Sequence, residues 1–80
     1  MTYFWQEVYG KPFYKVQTDE VAVANILKRR NNFRPAAVGI NCNLWIFSCE
    51  FKRADLAKKV MKSVTGKNPK NDCEGVLRYE

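Results

Sequence analysis

Residues 36–51, AAVGINCNLWIFSCEF, hold the strand signal around which the rest of the chain is organised. Two apolar runs rich in β-branched and aromatic residues flank Asn41-Cys42-Asn43, and asparagine tolerates the positive backbone φ of a tight reversal. The stretch therefore predicts a β-hairpin. The segments on either side carry helical apolar periods, and such helices need a sheet on which to bury their apolar faces.

Two helices are predicted around this hairpin. Thr18 is expected to cap a first helix that begins with two acidic residues and runs to about Arg30. The second helix is expected to open at residues 52–55 and to close at Gly66, because glycine is favoured just after a helix end. Its apolar positions, at helical spacing, are Leu56, Ala57, Val60, Met61 and Val64.

The remaining segments predict shorter strands and connections. Residues 13–17 predict a strand, whereas residues 2–8 either pair with it or pack as an extended segment across an open sheet face. Residues 33–35 predict a linker whose Phe33 closes the end of the core. Residues 66–72 predict a polar loop, and residues 75–79 a last strand at the sheet edge.

Together these elements predict one α+β domain over residues 1–80, in the order β-α-β-β-α-β. Two β-α-β units joined by a hairpin form a ferredoxin-like sandwich, with an antiparallel sheet and both helices on one face. Strands 13–17 and 44–51 would lie in the centre. An extra N-terminal strand, forming a hairpin with the first, is left open. Unrelated functions share this arrangement, so the fold does not specify one.

The composition argues against an enzyme, a metal site and a cofactor. The 80 residues include three cysteines and no histidine, so the chain lacks the usual general base and cannot supply four nitrogen or sulfur ligands to zinc. None of the eight acidic residues lies in an apolar context that would tune a catalytic pKa. No apolar run approaches the length of a membrane span, and we expect a soluble, cytoplasmic protein without a membrane partner.

The basic residues are unevenly distributed, which suggests a function. Residues 28–34 sum to +4 and residues 51–70 to +6, within a net charge of +6. Clustering of this kind is typical of surfaces that bind phosphate backbones, although a solvated face would carry the same charges. The leading hypothesis is a non-enzymatic binding module that contacts nucleic acid or another polyanion. The residues predicted to do so are Arg29, Arg30, Arg34, Lys52, Arg53, Lys58, Lys59 and Lys62.

The alternation of residues 44–51 suggests a second hypothesis. In one phase of this strand, Trp45, Phe47, Cys49 and Phe51 face the helices and no carboxylate is buried. In the opposite phase, Trp45 and Phe47 could form a platform on which bases stack, but Glu50 would be buried without a partner. The first phase is therefore preferred. The preferred phase leaves Leu44 and Ile46 as an apolar patch on the opposite face of the sheet. The chain would then be a small accessory or inhibitor protein, such as phages and mobile elements make, that docks on a larger protein or self-associates as a homodimer. The predicted interface residues are Trp5, Tyr9, Leu44 and Ile46.

Overall fold

Six strands and two helices make up the described part of the chain, residues 1–39 and 43–80 of a computed structural model. In chain order they are β1 (Thr2–Gln6), β2 (Phe13–Thr18), α1 (Val21–Arg29), β3 (Phe33–Val38), β4 (Trp45–Glu50), α2 (Ala54–Thr65), β5 (Pro69–Cys73) and β6 (Val76–Tyr79). The strands form one antiparallel sheet in the order β3-β4-β2-β1-β6-β5. The fold class is α+β, as predicted.

The predicted central hairpin is present as the antiparallel pair β3–β4. Strand β3 begins at Phe33, so the prediction of a linker over residues 33–35 is wrong. Pro35 is tolerated in the strand because β3 is an edge strand whose register shifts between Pro35 and Ala37. The side chain of Phe33 is buried, as expected. The predicted reversal falls largely on residues 40–42, which lie outside the described residues.

The N-terminal segment is a full strand inside the sheet. Strand β1 pairs with β2 on one side and with β6 on the other. It therefore separates β2 from the C-terminal hairpin, and with six strands in this order the ferredoxin-like arrangement is not confirmed. The predicted centre is correct in that β2 and β4 are adjacent interior strands. Thr2 and Phe4 face the core, so the alternation of a strand directs Tyr3 and Trp5 to the opposite face.

The C-terminal residues form a third hairpin, after β1–β2 and β3–β4, that the sequence analysis did not predict. Strand β5 lies within the segment expected to be a loop, and β6 is an interior strand rather than an edge. Four of the five residues of β5 are exposed, so the strand is held by backbone pairing and carries no apolar alternation. Gly75, with a φ of 78°, makes the tight turn between the two strands.

Both helices bury one stripe against the same face of the sheet, which we call the core face; the opposite face is the open face. Helix α2 has the predicted limits, with Gly66 closing it at a φ of 70°. Helix α1 begins at Val21, later than predicted, because Thr18 is the last residue of β2, where it pairs with Thr2 and Trp45. Glu20 occupies the N-cap position without a side-chain capping bond. Among the described residues, neither helix is long and apolar enough to span a membrane.

The core contains the residues that the preferred phase of β4 placed there. Phe47, Cys49 and Phe51 are buried and Trp45 is half-buried, which confirms that phase. Phe51 makes edge-on contacts with Phe33 and Tyr14 at centroid distances of 5.9 Å and 6.2 Å. The buried side chains are Phe4, Tyr14, Val16, Val23, Ala24, Leu27, Phe33, Phe47, Cys49, Phe51, Ala57, Met61, Val64 and Tyr79.

Candidate functional site

The outward side of α2 carries three exposed lysines, Lys58, Lys59 and Lys62, which we call the α2 lysine group. They are exposed because the apolar stripe of α2, centred on Ala57 and Met61, faces the core. Among the described residues, no carboxylate lies within ion-pair distance of these ammonium groups. The group is therefore a cluster of three positive charges without a direct ion-pair partner in the part of the chain that the structure describes.

Asp55 is the acid that helical spacing brings closest to these lysines, and it is engaged elsewhere. One of its carboxylate oxygens lies 3.4 Å from the Nε of Arg53, the residue that precedes α2. Both side chains are exposed, so the pair contributes little to stability. Asp55 is therefore paired with Arg53 and makes no ion pair with the α2 lysine group.

Most of the other acids are neutralised away from α2. The chain amino group pairs with Asp19, and the hydrogen bond from this ammonium holds the pKa of that carboxyl below its usual range. The remaining pairs lie on or beside the sheet: Glu7 with Lys15, Asp72 with Arg78, and Glu80 with both Arg78 and Lys70. Among the described residues, the basic side chains without an ion pair therefore include the α2 lysine group and also Arg29, Arg30 and Arg34.

The other predicted nucleic-acid-binding residues fall into two groups. Lys52 and Arg53 are exposed in the connection that leads into α2, in the same segment as the α2 lysine group. Arg29 and Arg30 end α1, and Arg34 lies on β3. Because Phe33 points into the core, its neighbour Arg34 points to the open face. The structure therefore does not bring all eight predicted residues onto one surface.

Lys28 is a basic residue that the sequence analysis did not single out. Its ammonium lies 5.9 Å from the centre of the Trp45 ring, within the range of a cation–π contact. Trp45 is packed against the core with its ring half-buried. Lys28 is therefore held over an aromatic ring, in contrast to the α2 lysine group.

The four predicted protein-interface residues do not form one patch. Trp5 and Ile46 are half-buried and both lie on the open face, two strands apart. Tyr9 is 98% exposed in the connection between β1 and β2. Leu44 precedes β4, at the end of the sheet opposite Tyr9, where its carbonyl accepts a hydrogen bond from Gly39. Of the four predicted interface residues, only Trp5 and Ile46 lie on the same surface.

A cleft of about 330 Å³ opens on the open face beside the end of β4, and we call it the end cleft. Its position follows from two cross-strand pairs: Phe13 lies opposite Glu50, and Arg34 lies opposite Ser48. The turn between α1 and β3 closes its rim. The residues that line it are Phe13, Asn31, Asn32, Arg34, Ser48, Cys49 and Glu50.

Sequence reasoning missed most of the end cleft. Arg34 was singled out as a basic residue, but Phe13 and Glu50 lie far apart in the chain and meet only through the register of β2 against β4. Alternation could have assigned each to the open face of its own strand. It could not have paired them, because the register is a tertiary property.

Titratable and thiol groups give no further site in residues 1–39 and 43–80. Cys49 donates a weak hydrogen bond to the carbonyl of Tyr14, and burial raises the pKa of its thiol to about 12, so it is an unreactive core residue. Cys73 is free and exposed. Cys42 lies outside the described residues. Within this described part, no group of three or more acidic or cysteine side chains is arranged to hold a metal.

Comparison with known proteins gave no relative. No protein-family model, curated protein or solved structure matches the chain.

Proposed function

We propose that this protein is a small non-enzymatic binding module that contacts nucleic acid or a similar polyanion through the surface of α2. The observation that carries the proposal is the α2 lysine group, which is exposed and without an acidic partner among the described residues, while Asp55 is engaged with Arg53. Surfaces kept soluble by charge usually intersperse both signs. A surface of one sign attracts a polyanion over a longer range.

The physical basis of such binding is neutralisation of phosphates. Each lysine that approaches a phosphate releases a condensed counterion, so the interaction is independent of base sequence and weakens steeply with salt. Lys58 and Lys62 are one helical turn apart, and their mutual repulsion is relieved when an anion lies between them. Lys52 and Arg53 extend the same surface towards the start of the helix.

Charge reversal on α2 tests the proposal. We expect the double variant Lys58→Glu/Lys62→Glu to lose binding to labelled single- and double-stranded DNA and RNA at low salt. The matched control is Lys11→Glu/Lys70→Glu, which changes the net charge equally at two exposed positions outside α2. Both variants should keep the far-ultraviolet circular dichroism of the parent. Equal loss of binding in both variants, or unchanged binding in the first, would overturn the proposal.

The location of Trp5 and Ile46 on one face favours a second candidate function. An uncovered apolar surface on a sheet can dock a protein partner or a second copy of the chain. In that case the double variant Trp5→Ala/Ile46→Asp should lose self-association in light scattering or lose a captured partner, while the α2 variant keeps it. A parent chain that is monomeric at all concentrations and captures no protein would count against this candidate.

The proposal includes a cytoplasmic location. Cys49 is buried and Cys73 is exposed, and neither forms a disulfide within the described residues. Free thiols of this kind persist in a reducing compartment.

A further inference from the structure

We propose that the end cleft holds one unpaired base of a single-stranded nucleic acid, with guanine preferred. This inference rests on the proposed function and deepens it, since it adds a contact to a base to the contacts with phosphates. The cleft is formed by Phe13, Asn31, Asn32, Arg34, Ser48 and Glu50 on the open face. Its volume of about 330 Å³ lies at the low end of ligand sites and suits a single flat ring system.

One wall of the cleft offers a stacking surface. Phe13 is 46% exposed, a large fraction for a phenylalanine in a sheet strand. It faces away from the core because its neighbour Tyr14 is buried against Phe4, with ring centroids 5.2 Å apart. Bases stack on aromatic rings presented in this way in proteins that bind single strands.

The other side of the cleft offers polar groups that the protein itself does not use. In the described part of the chain, the side chains of Asn31, Asn32, Arg34, Ser48 and Glu50 form no hydrogen bond or ion pair. Glu50 and Arg34 carry opposite charges and line the same cleft, yet they are not within ion-pair distance of each other. A ligand between them could therefore satisfy an acceptor on one side and donors on the other.

The charges select the chemistry of the base. A carboxylate only accepts hydrogen bonds, and it has two oxygens side by side. Guanine presents two neighbouring N–H donors on its Watson–Crick edge, N1–H and N2–H₂, which match the carboxylate of Glu50. Arg34 is then free to donate to a phosphate or to the guanine acceptors O6 and N7.

This geometry requires an unpaired base. The Watson–Crick edge of a base in a duplex is occupied by its partner, so a base read by Glu50 must come from a single strand or a loop. The chain on either side of the cleft is basic, with Arg29 and Arg30 before Asn31 and with Lys52 and Arg53 after Glu50. We assign to these neighbouring residues the contacts with the phosphates that flank the base.

Titration of isotope-labelled protein with mononucleotides tests the inference without any contribution from a long phosphate backbone. Guanosine monophosphate should shift the amide resonances of the end cleft at lower concentration than the adenosine, cytidine and uridine monophosphates do. Phe13→Ala should weaken binding of every nucleotide by about tenfold. Glu50→Gln should remove the guanine preference and leave the other nucleotides bound as before.

Two control variants change exposed residues outside the cleft. Val38→Ala truncates an exposed apolar side chain on β3, and Glu74→Gln neutralises an exposed acid beside the turn of the C-terminal hairpin. Both should bind nucleotides like the parent. Shifts that spread over α2 instead of the cleft, or a Glu50→Gln variant that keeps the guanine preference, would overturn the inference.

Failure of this inference and failure of the proposed function give different results. If only the end cleft is wrongly assigned, Phe13→Ala binds single strands like the parent and the α2 variant still loses all nucleic acid. If only the α2 assignment is wrong, Lys58→Glu/Lys62→Glu keeps its affinity for duplexes while mononucleotides still shift the cleft resonances. The two sets of variants are therefore independent tests.

Discussion

The side-chain oxygens of Thr2 and Thr18 lie 2.8 Å apart, and both residues are fully buried. The hydroxyl of Thr2 donates to a carboxylate oxygen of Glu20 at 2.8 Å, and the backbone N–H of Glu20 donates to the Thr18 hydroxyl at 3.1 Å. The three groups close a ring of hydrogen bonds that ties β1 to β2 and to the start of α1. This ring holds the N-terminal strand in the sheet and sets the first residue of the helix.

Replacement of one member of this ring should destabilise the protein. Thr18→Val removes the hydroxyl that donates to Thr2 and leaves the Glu20 N–H without its acceptor, and the expected loss is about 1–3 kcal/mol in the free energy of unfolding. The double variant Thr2→Val/Thr18→Val should lose less than the sum of the two single variants, because an apolar pair of the same shape leaves fewer unpaired groups. Urea unfolding of the parent, the two single variants and the double variant measures these losses. Strictly additive losses in the double variant would contradict the prediction.

Tyr79 should be replaceable by phenylalanine with a gain in stability. Its side chain is fully buried, and its hydroxyl has no hydrogen-bond partner among the described residues. Removing an unpaired buried hydroxyl recovers part of its desolvation cost, about 1 kcal/mol. Tyr79→Phe should therefore raise the urea midpoint without changing the slope of the transition. A lower midpoint would show that the hydroxyl has a partner.

Stability should fall in alkaline solution because two buried groups resist ionisation. Burial raises the pKa of Cys49 from 9.0, and that of Tyr79 from 10.0, to about 12 in each case. The unfolded chain loses these protons first, so their contribution to stability is complete below pH 9.0 and is lost as the pH rises towards about 12. The unfolding free energy of a Cys49→Ala/Tyr79→Phe variant should depend less on pH over this range. Identical pH profiles would contradict the assignment.

Gly66 should be sensitive to substitution. It closes α2 at a φ of 70°, and its N–H donates to the carbonyl of Lys62 at 2.8 Å. A Cβ at this position would meet no atom within 4 Å, so the cost of alanine is the strained backbone alone, about 1 kcal/mol. Thermal unfolding of Gly66→Ala should show this loss, and an unchanged midpoint would mean that the helix ends differently.

Local signals explain which parts of the fold the sequence could predict. The limits of α2 follow from its apolar period and from Gly66, and the phase of β4 follows from the cost of burying Glu50. Strand β5 had no such signal, because an exposed edge strand is held by backbone pairing alone. The start of α1 was misplaced because Thr18 is held in β2 by its strand partners Thr2 and Trp45, which are distant in the chain.

The two parts of the candidate site also differ in whether local sequence signals could predict them. The α2 lysine group could be predicted, because its residues lie on one helix and the apolar stripe shows which side faces out. The end cleft could not, because Phe13, Arg34 and Glu50 come from three strands and meet through their register. Arg34 was therefore grouped with the helix residues, although it lies on the open face.

The salt dependence of nucleic-acid binding tests the central claim most directly. The affinity of the parent chain for a short duplex should fall linearly on a double-logarithmic plot against salt, with a slope that counts the phosphates engaged. The double variant Lys58→Gln/Lys62→Gln, which removes two charges and adds none, should reduce that slope by about 2, one for each lost phosphate contact, whereas Lys11→Gln/Lys70→Gln should not. A slope that both variants leave unchanged, or a parent chain that does not bind at low salt, would contradict the claim that α2 binds nucleic acid.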